Sequence, residues 1–231
     1  MSSDGEVVTN ASGQPVGAPV AGWEGAVFPP HEKLEARYCD LEPLSVERHA
    51  ADLWAAFGAD VEGRNSRYLP YGPFARADDY REWMRGVCAG VGPQFYAVVA
   101  KDSRKAVGVA SYLRIVPGSG VIEVGHIHYS EALKRTGAAT EAMYLMMRRV
   151  FELGYRRYEW TCDALNMGSR AAAVHVRGRV PEALVYKGRN RDTAWYSVVD
   201  GEWEGLRERF ERWLEPGNFD GEGREIKKLK S

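Results

Sequence analysis

Residues 121–163 read VIEVGHIHYSEALKRTGAATEAMYLMMRRVFELGYRRYEWTCD. Val121 to Tyr129 predicts a strand. Ala138 to Leu153 predicts a helix, with Ala139, Met143, Met146, Met147 and Val150 at helical spacing and Gly154 closing it. Tyr155 to Cys162 then predicts a second strand. A strand–helix–strand crossover of this length sets the two strands side by side in parallel. Upstream, Phe95–Ala100 and Ala106–Leu113 flank the polar turn Lys101–Lys105, and Pro117–Gly120 turns the chain into Val121. Short turns of this kind make antiparallel hairpins. The expected fold class is therefore α/β, with a mixed sheet that is antiparallel first and parallel at its centre.

Further upstream, Tyr38–Leu44 predicts a short strand. Ser45 can N-cap a helix bearing Val46, Ala50, Leu53, Trp54 and Phe57 on one face, with Gly58 at its end. A second helix starts at Asp78 or Asp79 and runs through Trp83 and Val87 to Gly90. Between them, Arg67–Phe74 is a loop of aromatics, prolines and one glycine. Downstream, Ala183–Tyr186 and Thr193–Val199 form a hairpin across Lys187–Asp192. Trp203, Leu206, Phe210 and Trp213 mark an amphipathic helix packed on the domain. Residues 1–32 are rich in Gly, Pro, Ser and Ala and predict a disordered or loosely packed extension, with Trp23 and Phe28 as anchors. This divides the chain into an extension (1–32), one domain (33–200) and a C-terminal helix and tail (201–231).

The 231 residues carry 31 Lys+Arg against 32 Asp+Glu, a net charge of -1. That balance argues against a partner that is nucleic acid. The apolar runs are too short to cross a bilayer, so no membrane partner is expected. Three dispersed cysteines, Cys39, Cys88 and Cys162, exclude a disulfide framework and fit a cytoplasmic protein. Composition leaves a homodimer open.

Candidate chemistry concentrates at Leu133–Ala142. Two basic residues and a glycine precede a helix that opens with small residues. Amides at a helix N-terminus bind phosphate, and Lys134 and Arg135 add charge. His126 and His128 alternate with Ile127 and share one face of the strand. They are either proton-transfer or acceptor-site residues, or imidazoles hydrogen-bonded within a half-buried strand. No third ligand stands at metal spacing, so no metal is expected.

With Glu123-Val124-Gly125 before it and Asn166-x-x-Ser169 after the next strand, this segment resembles the GCN5-related N-acetyltransferase (GNAT) superfamily. Within it, the sequence looks like the branch that includes the ribosomal-protein N-terminal acetyltransferases of the RimJ/RimL type. The acyl-CoA signature Gln/Arg-x-x-Gly-x-Gly/Ala reads here Lys134-x-x-Gly137-x-Ala139. The resemblance implies a GNAT fold whose central parallel strands splay apart. Pantetheine of acetyl-CoA would lie in the gap, bonded to the strand at Ile127, with pyrophosphate on the amides of Arg135, Thr136, Gly137, Ala138 and Ala139. Acetyl transfer would go directly to a primary amine, on a small molecule or a protein N-terminus. Glu123 takes the position of the family's general base; its alternative is a surface glutamate on a half-exposed strand. Amides from Gly125 to Ile127 would polarise the thioester carbonyl. Asn166 and Ser169 would contact the cofactor or simply cap a helix. The cations of Lys187–Asp192 would read an acidic acceptor or stay solvated.

One element of the family pattern is missing. After Asn166, Ala171–Ala173 runs directly into Val174–Pro181, without the usual Leu-Gly-Phe turn. The tyrosine that serves the family as general acid has no counterpart there; His175 is merely near in sequence, and no general acid is assigned. The omission keeps a second reading open, a catalytically silent acyl-CoA-binding or interaction module.

Overall fold

A computed structural model describes residues 7–60, 62–90, 92–173 and 176–229. In chain order its strands are β1 (Val7–Thr9), β2 (Pro15–Gly17), β3 (Leu34–Glu35), β4 (Cys39–Pro43), β5 (Gln94–Ala100), β6 (Ala106–Val116), β7 (Val121–Tyr129), β8 (Arg157–Asp163), β9 (Val176–Tyr186) and β10 (Arg189–Val199). The helices are α1 (Val46–Gly58), α2 (Ala77–Cys88), α3 (Gly137–Glu152), α4 (Met167–Ala172) and α5 (Asp200–Trp213). Strands β3 to β10 form one mixed sheet in the order β3-β4-β5-β6-β7-β8-β10-β9. Only β7 and β8 run parallel; the other neighbours are antiparallel.

Period-two alternation sorts the side chains between two layers. Tyr96, Val98, Tyr112, Ile122 and Val124 face α3 and α5, where Leu145, Met146, Val150, Leu206 and Phe210 are buried. Phe95, Ala97, Ala106 and Val109 face α1 and α2 and meet Leu53, Tyr80 and Met84. Ser45 caps α1 by accepting from the Arg48 amide, as its spacing predicts.

Several boundaries differ from the sequence expectation. Helix α2 starts at Ala77 and stops at Cys88, short of Gly90. Strand β6 continues past Leu113 to Val116, because Arg114 and Ile115 bulge opposite the single residue Ile122. The last hairpin is longer than Ala183–Tyr186 and Thr193–Val199 suggest, and its turn is only Lys187-Gly188. Both turn residues have positive φ, 46° and 72°, the backbone of a tight primed turn that matches strand twist. Pro181 is tolerated inside β9 because that strand is the sheet edge.

The N-terminal segment holds to the body through its backbone and one ring. Trp23 donates its indole N–H to Gly118 O (3.2 Å), and its ring fills the space beside Gly120. The Ala26 and Val27 amides donate to Pro117 O and Leu153 O. Phe28, the second expected anchor, is 51% exposed, so its ring anchors nothing. At the other end, the Tyr38 hydroxyl donates to Leu214 O, and Phe219 lies edge-on to Tyr38 and Trp213. Among the described residues no helix is long and apolar enough to cross a membrane.

Candidate active site

The ladder between β7 and β8 runs from Val121↔Arg157 to Val124↔Trp160 and stops there. Beyond that point β7 keeps only β6, while β8 continues against β10 as far as Asp163↔Thr193. The two central strands diverge into a cleft flanked by Gly125–Tyr129 and Thr161–Asp163. A one-residue bulge accompanies the divergence on β7, with His126 at φ 52°.

The N-terminus of α3 follows β7. Thr136 is its N-cap: its Oγ1 accepts from the Ala139 amide (3.2 Å) and donates to Leu133 O (2.7 Å). The amides of Gly137 and Ala138 are left for a ligand, as first-turn amides are; Ala139's is already taken. Arg135 is exposed, at φ 60°, and has no side-chain partner among the described residues. Lys134 is different. Its ammonium is held by Glu131 (2.7 Å) and by the Asn65 side chain from the α1–α2 loop, so the charge free for an anion is Arg135's. The space beside Gly137 is occupied by the Phe219 ring, which a Cβ would approach to 3.1 Å. A bulky residue at Gly137 would therefore displace the C-terminal segment as well as any phosphate.

Glu123 is no surface glutamate. It is 2% exposed, its Oε1 accepts from the Thr161 hydroxyl (2.7 Å), and its Oε2 is ion-paired with Arg114. Burial pushes its carboxyl above the ordinary value, opposed by the Thr161 hydrogen bond and the Arg114 charge. His126 and His128 both lie on the α1/α2 side. His128 stacks on Phe57 (3.7 Å between centroids), and His126 lies against Phe95 (4.9 Å) and Tyr71 (5.7 Å). Burial lowers both imidazoles to about 4, so near neutral pH they are uncharged and weak proton acceptors. His49 is lowered too, mainly by burial.

These histidines make stability depend on pH. Their folded values lie below the unfolded value of about 6.5, so between those limits the unfolded chain binds more protons. Stability is therefore complete above about pH 7 and is lost as pH falls toward 4. Urea midpoints measured from pH 7.5 to 4.5 should fall, and His128→Phe should flatten the fall.

A search among curated proteins returns no match. The family model for the acetyltransferase (GNAT) domain matches residues 40–178. A GCN5-related N-acetyltransferase from Brucella melitensis superposes with TM-score 0.88 at 39% identity, over 91% of this chain and 97% of that one. The chain belongs to the GNAT acetyltransferase family. A second crystal structure, of a probable GNAT-family acetyltransferase from Chromobacterium violaceum, superposes with TM-score 0.76 at 40% identity over 83% of this chain and 98% of that one. The microcin C7 self-immunity acetyltransferase MccE, in complex with acetyl-CoA and AMP, shares the fold at 17% identity, with TM-score 0.62 over 71% of this chain and 93% of that one.

The remaining candidates of this GNAT domain are tied into structure. Asn166 caps α4 by accepting from the Ser169 amide (3.1 Å), and the Ser169 hydroxyl accepts from the Trp160 indole (2.9 Å). Both steady the point where β8 leaves β7. Ile127 packs against the α3-side core. Among the described residues no His, Cys, Asp or Glu cluster could hold a metal. Helix α4 ends at Ala172 and β9 starts at Val176, so the link is three residues long; His175 lies outside the described residues.

Lys187 does not reach for an acidic acceptor. Its ammonium donates to Ser66 O (3.1 Å), Tyr71 O (3.4 Å) and Gly72 O (2.8 Å), tying the β9–β10 turn to the α1–α2 loop. The same loop is held at Asn65 by Lys134, and Tyr71 donates its hydroxyl to His126 O (3.4 Å) on β7. The loop that the sequence marks as aromatic thus lies clasped beside the cleft. Lys187→Met removes three charge-assisted bonds. Amide exchange in residues 66–74 should speed up about tenfold or more, corresponding to about 1.4 kcal/mol of local opening. Exchange across α3 should not change.

Proposed function

We propose that this GNAT enzyme transfers the acetyl group of acetyl-CoA to a primary amine, on a small molecule or a protein N-terminus, by direct attack. The observation that carries the reading is the divergence of β7 and β8 beside the α3 N-terminus. A cleft open between two strands, with free first-turn amides and the unpaired Arg135 at one end, suits a long thioester with an anionic head. The Glu123 carboxylate stands on β7 just before the divergence. It takes one proton from the ammonium; the freed amine nitrogen attacks the thioester carbon and forms the amide bond; as the carbon–sulfur bond breaks, the second proton of that nitrogen passes through solvent to the departing sulfur, and CoA leaves. An aliphatic thiol ionises at about 8.5, so this leaving group needs little proton assistance near neutral pH. Amides of the bulged segment Gly125–Ile127 stabilise the oxyanion. The Glu123–Gly125 and Ala139–Ala142 stretches support the RimJ/RimL-like branch, which makes protein N-termini one acceptor class to test. Residues 33–200 form the catalytic unit in this reading, with 1–32 an extension and 201–231 a helix and tail upon it. Three unpaired cysteines support a cytoplasmic location.

Release of free CoA, followed with a thiol reagent across polyamines, amino sugars and peptides with free N-termini, tests the reading. At least one amine should accelerate release well above hydrolysis. Binding of acetyl-CoA with no acceleration by any amine would favour a silent binder.

A further inference from the structure

Two non-glycine residues in the central strands adopt left-handed backbone, His126 on β7 and Arg114 on β6, at φ 52° and 45°. That conformation disfavours a side chain by about 1–2 kcal/mol, so each is held by its surroundings. At Arg114 the cause is the β6 bulge, where Arg114 and Ile115 oppose Ile122 alone. The extra residue carries the guanidinium to the next strand, where Nη2 meets both Glu123 Oε2 and Thr161 Oγ1 (3.3 Å). The guanidinium also lies over the Trp195 ring, 5.4 Å from its centroid. Arg114 thereby joins β6, β7, β8 and β10 around one buried carboxylate.

We propose that Arg114 is the positioning residue for Glu123, holding its buried carboxylate ionised and in one orientation, so that it can accept the proton of the acceptor amine. This rests on the reading of Glu123 as the base. A carboxylate that is 2% exposed and stripped of its cation would keep its proton near neutral pH and be idle as a base. The groups facing Glu123 decide its charge: Arg114 from β6, and Thr161 and Glu159 from β8. Glu159 opposes ionisation but is itself paired with Arg157 (2.8 Å). Trp195 of β10 adds no charge and fixes the guanidinium plane. The half-exposed Arg114 side chain uses only Nη2 for these contacts among the described residues.

The test combines a pH profile with a direct titration of Glu123. In full-length protein labelled with side-chain carboxyl ¹³C-glutamate, the Glu123 signal is identified by its loss in Glu123→Gln. Arg114→Gln should move that titration upward by about one unit or more. The acid limb of kcat/KM for acetyl transfer should move with it, and Arg114→Lys should restore much of both. Arg114→Gly relieves the left-handed backbone yet should show the same upward shift, which separates loss of charge from damage to the bulge. A Glu123 titration unchanged in Arg114→Gln and Arg114→Gly overturns the proposal by itself. A titration that moves while the acid limb stays fixed overturns Glu123 as the base, and with it the role given to Arg114.

Discussion

Glu123→Gln is expected to lower kcat/KM for acetyl transfer by about 10²- to 10⁴-fold, the usual contribution of a positioned general base. The amide is nearly the same size as the carboxylate and still accepts from Thr161, so the fold and cofactor binding should survive. The loss should fall on kcat, because the interaction removed is made only as the proton moves. The acid limb of the pH profile should disappear as well. The raised carboxyl of Glu123 suits this work, since its proton affinity is closer to the operating pH than that of an exposed glutamate. A variant within threefold of the wild type would remove Glu123 from the chemistry. The two neighbouring histidines are poor replacements, His128 being buried and His126 half-buried, both neutral and packed against aromatic rings.

The second large effect is on stability. Glu141 lies in α3, is 4% exposed, and serves three backbone amides of the turn that leads into β4. Its Oε2 accepts from Tyr38 (2.6 Å) and Cys39 (2.9 Å), and its Oε1 from Arg37 (3.1 Å). Each buried donor left without an acceptor costs about 1–3 kcal/mol. Glu141→Ala should therefore destabilise the protein by about 4 kcal/mol. In a chain of this length that lowers the thermal midpoint by roughly 10 °C. Glu141→Gln keeps one acceptor oxygen and should fall between the two. A midpoint within 2 °C of the wild type in Glu141→Ala would contradict this account of how α3 is pinned to β4. Because α3 carries the Gly137–Ala138 amides, the same variant should also weaken acetyl-CoA binding below its unfolding range.

Local patterns carried much of this architecture. The helical spacing of Ala139 to Val150, the cap at Ser45, and the short turns between β5, β6 and β7 each rest on contacts within a few residues. The divergence of β7 from β8 has no such local mark; only the resemblance implied it. The turn of the last hairpin is expected too long because five polar residues and a glycine look like a loop, whereas two left-handed residues suffice and the rest extend the strand. Glu141 did carry a sign, a charge on the apolar face of a helix, but its three partners lie about a hundred residues away. Arg114 gave no sign at all, and Lys187 showed only as one cation of a polar turn. Each acts through a backbone turn that any sequence could hide, a bulge in one case and a two-residue hairpin in the other. Charge counts also misled at Lys134, whose neighbour Glu131 and distant partner Asn65 consume it before an anion could.

Isothermal titration of the full chain with acetyl-CoA tests the central claim most directly. One equivalent should bind, Arg135→Ala should weaken that binding by about tenfold or less, the worth of one exposed charge on a phosphate, and bound acetyl-CoA should raise the thermal midpoint. No heat and no midpoint shift at millimolar acetyl-CoA would contradict the assignment of the cleft between β7 and β8.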